Sequence, residues 1–166
     1  MSFQSYENFK AIIDDFAKNY KGKLSPDAQS ILEILTTGFK LKTGAIASTV
    51  AHDSHNIIVV GTNDKDIMVA INSMKKLGGG QLVVKNGKVI AHLAMPIAGL
   101  MSNKDIKTVV EENIKATKAC YRLGVNKKIQ PFMNMAFLSL PVIPELRLTT
   151  KGLVDVNQYK LVKLIV

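Results

Sequence analysis

Tryptophan is absent from this 166-residue chain, cysteine occurs once, and arginine is confined to Arg122 and Arg147. The lone Cys120 cannot close an internal disulfide, and one thiolate cannot build a cysteine-ligated zinc centre, so both common cysteine frameworks are excluded. No run of about 18 apolar residues occurs, so no segment reads as a transmembrane helix. The opening residues, MSFQSYENFK, also lack the basic-then-apolar layout of a signal peptide. These absences predict a cytoplasmic protein with no membrane partner. Arginine is the planar donor that reads guanine and phosphate in bidentate fashion, and its scarcity argues against nucleic-acid recognition.

Lysine, by contrast, is abundant. The formal net charge is +9, from 22 basic and 13 acidic residues. A basic face attracts phosphate by releasing counterions, but these lysines are scattered, with no run longer than a pair such as Lys75-Lys76, and no recognition motif accompanies them. A solvated lysine-rich surface accounts for the charge. Apolar residues make up 47% of the chain and charged residues 21%, the balance of a globular protein rather than a disordered one. A chain of this length buries roughly two-thirds of its unfolded surface, enough for one self-sufficient core.

Residues 6–20, YENFKAIIDDFAKNY, place Phe9, Ile12, Ile13, Phe16 and Tyr20 at helical spacing. Ser25-Pro26 opens a second amphipathic helix carrying Ile31, Leu32 and Leu35 and stopping at Gly38. The two form an N-terminal helical extension over residues 1–36. Farther on, Ile57 to Val60 reads as a buried strand. TNDKDIMVAINSMKKLGGG reads as a helix capped by Thr62 or Asn63, with Ile67, Ala70, Ile71, Met74 and Leu77 on one face. QLVVKNGKVIAHL, residues 81–93, is a β-hairpin, because Asn86-Gly87 accepts the positive φ of a two-residue turn. Ser102 and Asp105 resemble a capping box for a long helix with Ile106, Val109, Val110, Ile114 and Cys120 on one side, closed at Gly124. FMNMAFLSLPVI is expected to be a strand ended by Pro141 and Pro144, and YKLVKLIV a terminal strand. No linker or repeat divides the chain after residue 38. The expected fold is a single α/β domain with one mixed β-sheet covered by helices.

VAHDSHNIIVV, residues 50–60, sets two histidines, an aspartate, a serine and an asparagine before a β-branched run. A metal site at His52, Asp53 and His55 needs three or four converging ligands, and His-x-x-His presents both rings to one face only if the segment turns helically. Read as extended, the two rings face opposite ways, and His92, in the hairpin, joins them only through long-range folding. The favoured reading is a polar rim, hydrogen-bonded at a strand entrance. Ser54 beside histidine and aspartate is a formal triad, but adjacent residues rarely place nucleophile, base and orienting carboxylate in line. Cys120, on an apolar helix face, lacks the electropositive exposure of a reactive thiolate. LGGGQLVV follows a helix and precedes a strand, the reverse of a phosphate-cradling loop, and reads as a cap and tight turn. MPIAGLMS reads as a loop and cap, with contact to an anion or polar ligand as the alternative. The candidate ligand or interface residues are therefore His52, Asp53, Ser54, His55, Asn56 and Ser102, with no catalytic role assigned.

Three stretches, TGFKLKTGAIASTVAHDSHNIIVVGTND, LGGGQLVVKNGKVIAHLAMPIAGLMS and PFMNMAFLSLPVIPELRLTTKGLVDV, together resemble the C-terminal domain of bacterial-type adenine deaminases. The resemblance runs from about Thr37 to the C-terminus and implies an adenine deaminase C-terminal-like domain over residues 37–166. The family reaction converts adenine and water to hypoxanthine and ammonia, a purine-salvage hydrolysis. In that family the chemistry belongs to a preceding amidohydrolase barrel, whose manganese or iron pair, on histidine and carboxylate ligands, lowers the pKa of bound water. Residues 1–36 are too short to supply that barrel and contain no histidine. The resemblance thus implies an accessory or purine-binding domain, inactive alone and without a cofactor of its own. Its expected partners are a separately encoded barrel, whose site AHDSHN would face, and a purine ligand. Beginning at Met1 with its own amphipathic helices, the chain is expected to be a short protein in its own right, and a homo-oligomer. The alternatives are an independent metal-dependent hydrolase at His52, Asp53 and His55, and an oligomerisation or interaction module built on the apolar stripes of residues 1–36.

Overall fold

The computed structural model describes residues 39–149 and 151–162. The two helices expected over residues 1–36 lie outside that range. The elements are β1 (Ala45–Ser48), β2 (Ile58–Gly61), α1 (Asp64–Leu77), β3 (Gly80–Lys85), β4 (Lys88–Ala94), α2 (Ile106–Arg122), α3 (Pro131–Ala136), β5 (Leu146–Thr149), β6 (Gly152–Asp155) and β7 (Lys160–Val162). They fall into two compact units, one over residues 39–137 and one over 138–162. Among the described residues, no helix is long and apolar enough to cross a membrane.

In the larger unit the strand order is β2-β1-β3-β4, and every pairing is antiparallel. Both β2 and β3 run against β1, so they point the same way, and α1 is the crossover that connects them. Ala45 and Ala47 of β1 and Leu82 and Val84 of β3 share a buried cluster with Ala70 and Met74 of α1. The alanines let the helix lie close to the sheet. Strand alternation gives Ile46, Ser48, Gln81 and Val83 to the opposite face, where Asn113 of α2 donates to Gln81 at 3.0 Å. The sheet is therefore covered on both faces.

Local signals explain α1 and the hairpin. Asn63 caps α1 by accepting from the Asp66 N–H at 2.9 Å. Acidic residues in the first turn and Lys75 and Lys76 in the last complement the helix dipole. Ala70, Ile71 and Met74 are buried as expected, with Ile67 and Leu77 packed against the same cluster. The hairpin turns at Asn86 and Gly87, with φ of 51° and 75°. Its tip is pinned to α1 by the Gly87 N–H, which donates to the Asp66 carboxylate at 2.6 Å.

Besides β2, which is a half-buried edge strand rather than a buried one, three expectations of local structure change. Asp105, not Ser102, caps α2: it accepts from the Thr108 N–H at 3.0 Å and the Thr108 hydroxyl at 2.6 Å. The Ser102 hydroxyl accepts from the Lys104 N–H instead. Second, α2 buries Ala116, Ala119 and Cys120, whereas Ile106, Val110 and Ile114 are 76%, 47% and 45% exposed. Small residues form the contact face because they let the helix approach the sheet. Third, FMNMAFLSLPVI is not a strand: Pro131 starts the short helix α3 at its first turn, and turns follow to Pro144. A short apolar run carries no periodicity that separates helix from strand.

The smaller unit is an antiparallel meander, β5-β6-β7. The Thr149 hydroxyl donates to the Gly152 carbonyl at 2.9 Å across the first turn. Asp155 accepts from the Gln158 N–H at 3.0 Å and side-chain amide at 2.7 Å across the second. The α/β class and the hairpin hold as expected, while the strands expected in one mixed sheet form two antiparallel ones.

Candidate functional site

β1 leaves the sheet at Ser48, and after nine intervening residues the chain returns as β2. Thr49, at the exit, is buried and binds two other loops. Its hydroxyl accepts from the Gly80 N–H at 2.8 Å and donates to the Gly99 carbonyl at 2.6 Å. The hydroxyl has one proton, and the Gly80 carbonyl takes its own hydrogen bond from the Thr49 N–H at 3.0 Å. A Cβ on Gly79 would stand 2.4 Å from the Gly99 Cα, so LGGG serves as a helix cap and a close backbone crossing. MPIAGLMS closes on itself through Ile97 and Met101, each N–H donating to the other's carbonyl at 3.1 Å. These contacts fix the base from which AHDSHN projects.

Ala51, fully buried, anchors the next turn. The His52 N–H donates to the Ala136 carbonyl at the end of α3 at 2.8 Å, and the His55 N–H returns to the Ala51 carbonyl at 2.7 Å. Residues 52–54 are thus a turn, with a cis peptide between His52 and Asp53 and His55 at φ 47°. Histidine is among the residues that tolerate this left-handed region. The extended geometry expected from the sequence is replaced, and so is its consequence. The two imidazoles lie edge to face with centroids 5.9 Å apart, and His52 also rests on the Phe137 ring at 5.0 Å.

The remaining candidates are placed around this pair. Asp53 and Ser54 are exposed, and the Ser54 hydroxyl accepts from the Asn56 amide at 3.0 Å. The Ala51 N–H donates to the His55 Nδ1 at a long 3.4 Å. Ser102 lies beyond the MPIAG turn, occupied with the Lys104 N–H, and His92 is exposed on the edge strand β4. Among the described residues, no three His, Cys, Asp or Glu side chains gather closely enough to hold a metal ion. Cys120 is sealed in the core, where burial pushes its thiol up to about 12, so it is no nucleophile at neutral pH.

Sequence reasoning missed Thr49 and Phe137, because the contacts that matter reach 50 residues along the chain to Gly99 and 85 to the end of α3. Only the threonine directly after an apolar strand offered a local cue. The arrangement sets two imidazoles in edge-to-face contact on one turn, fewer than the three or four ligands of a metal centre.

A sequence model described as the adenine deaminase C-terminal domain matches residues 25–160. Adenine deaminase of Clostridium acetobutylicum is 56% identical over 127 residues, 76% of this chain and 22% of that protein. Adenine deaminase 2 of Carboxydothermus hydrogenoformans is 53% identical over 128 residues, 77% of this chain and 22% of the relative. Adenine deaminase of Moorella thermoacetica is 52% identical over 128 residues, 77% of this chain and 21% of the relative. The chain therefore spans about a fifth of the length of the curated relatives it matches.

Proposed function

Because this chain belongs to the adenine deaminase C-terminal domain family, we propose that it is the accessory domain of an adenine deaminase, offering the His52–His55 turn to a purine bound on a metal-bearing amidohydrolase barrel. That barrel is supplied by another chain or by another stretch of the same polypeptide, and the setting is cytoplasmic purine salvage. The observation that carries the reading is the imidazole pair, 5.9 Å apart on one turn. Two imidazoles fall short of the three or four ligands a metal centre needs, so the metal is assigned to the barrel and no step here runs through it.

The chain's own contribution is binding and orientation. A neutral imidazole carries one donor and one acceptor. Adenine presents a ring-nitrogen acceptor beside an exocyclic amino donor, groups that an imidazole N–H and an imidazole ring nitrogen can meet. Phe137 and the Ala136 carbonyl hold His52 in place, so little side-chain entropy is lost on binding. The purified chain, given adenine with manganese or iron and followed by ammonia release, is expected to show no turnover. Sustained ammonia release that His52→Ala or His55→Ala abolishes would establish an independent hydrolase instead.

A further inference from the structure

On the side of the larger unit where α2 packs against the edge strand β4, a cleft of about 340 Å³ opens between Ile90, Ala91 and His92 on the strand and Glu112, Lys115, Lys118 and Arg122 on the helix. Three cations at spacings of three and four residues stand on one face of α2, and they span about 10 Å along its axis at 1.5 Å per residue. The cleft's one carboxylate is already engaged: Glu112 takes both its bonds from Lys104, at 2.7 and 2.9 Å. Among the described residues, no carboxylate lies within ion-pair distance of Lys115, Lys118 or Arg122.

Gathering three cations at a concave surface raises the local potential, and low-dielectric walls focus it. A convex lysine-rich face does not do this. One phosphate would engage two of the cations; the 10 Å row suits two adjoining phosphates. Ile90 is 42% exposed on the opposite wall, an apolar surface that inorganic phosphate would leave uncovered. Arginine at the end of the row adds a planar fork for bidentate contact.

We propose that the cleft between β4 and α2 binds a small organic polyphosphate, with two phosphates on Lys115, Lys118 and Arg122 and an apolar body against Ile90 and Ala91. The site is separate from the histidine turn and stands whether or not the chain serves a deaminase. Its ligand is recognised by charge in pairs and by a hydrophobic flank, not by sequence or metal.

Calorimetric titration of the full chain at physiological salt tests it, with adenosine diphosphate, pyrophosphate and adenosine as probes. The diphosphate is expected to bind at one site, at least tenfold tighter than pyrophosphate, with adenosine weaker than both. Lys118→Glu with Arg122→Glu is expected to weaken the diphosphate at least tenfold. Lys127→Glu with Lys128→Glu, an equal charge change on exposed residues outside the cleft, leaves it within twofold. Both pairs are exposed, and an unchanged thermal melt verifies folding. Equal loss in the two double variants, equal binding of pyrophosphate and the diphosphate, or no binding of the diphosphate would each overturn the proposal.

Discussion

Asp66 joins two pieces of the larger unit with one carboxylate. It is 2% exposed, it accepts from the Asn63 side-chain amide at 3.0 Å, and it holds the hairpin tip through the Gly87 N–H. The Asn63 hydrogen bond, with help from the Gly87 and Asn86 backbone and Lys65, keeps its pKa below the usual carboxylate value against the opposing effect of burial. A carboxylate depressed in the fold adds stability above its unfolded pKa, near 4, and that stability is lost as pH falls through the lower folded value. Asp66→Asn is therefore expected to flatten the dependence of urea stability on pH below about 4, and Asp66→Ala to cost about 2 kcal/mol at neutral pH. At Cys120, a thiol pushed up to about 12 predicts slow alkylation by iodoacetamide at pH 8 in the native protein and complete alkylation in urea, read by mass spectrometry. The sequence placed Asp66 in a helical first turn and Cys120 on a core face. It could not bring Gly87 to Asp66, because that bond depends on where the hairpin packs.

Among the elements, those with strong local chemistry were legible. Asn86-Gly87 accepts the positive φ that a two-residue hairpin turn requires, and α1 carries a cap, a dipole-matched charge pattern and an apolar stripe that agree. The misread elements lacked such agreement. On α2 the large apolar residues formed one stripe and the small ones another, and the sheet selected the small stripe for close packing. In α3 six residues are too few to show a period. The junction of Thr49, Gly79, Gly80 and Gly99 joins three loops, and none of its contacts is local. Replacing Gly79 with Ala drives a Cβ into backbone that has no side chain to move, so a loss of about 2–4 kcal/mol in urea unfolding is expected. Thr49→Val removes the hydroxyl but keeps the shape, leaving the Gly80 N–H and the Gly99 carbonyl unpaired. A loss of about 1–3 kcal/mol follows, and both variants should loosen the histidine turn, seen as faster amide exchange at His55.

For the whole molecule, the family and the α/β class were legible because they rest on long ordered stretches. Of the residues around the histidine turn, the sequence singled out His52, Asp53, Ser54, His55 and Asn56 but neither Thr49 nor Phe137, and it did not show their shape. The AHDSHN segment, read as extended, is a turn that places His52 and His55 side by side on a base made by Thr49, the glycine loop and α3. That geometry brings two imidazoles together on one turn, and the relatives this chain matches are about four and a half times as long as the shared region. The most direct measurement exchanges this chain's residues 37–166 for the matching C-terminal region of the Clostridium acetobutylicum adenine deaminase and follows ammonia release from adenine. The account predicts a chimera with kcat/KM within tenfold of the parent enzyme, falling at least tenfold further with His52→Ala and His55→Ala. A folded, metal-loaded chimera whose turnover is unchanged by loss of both histidines would contradict it.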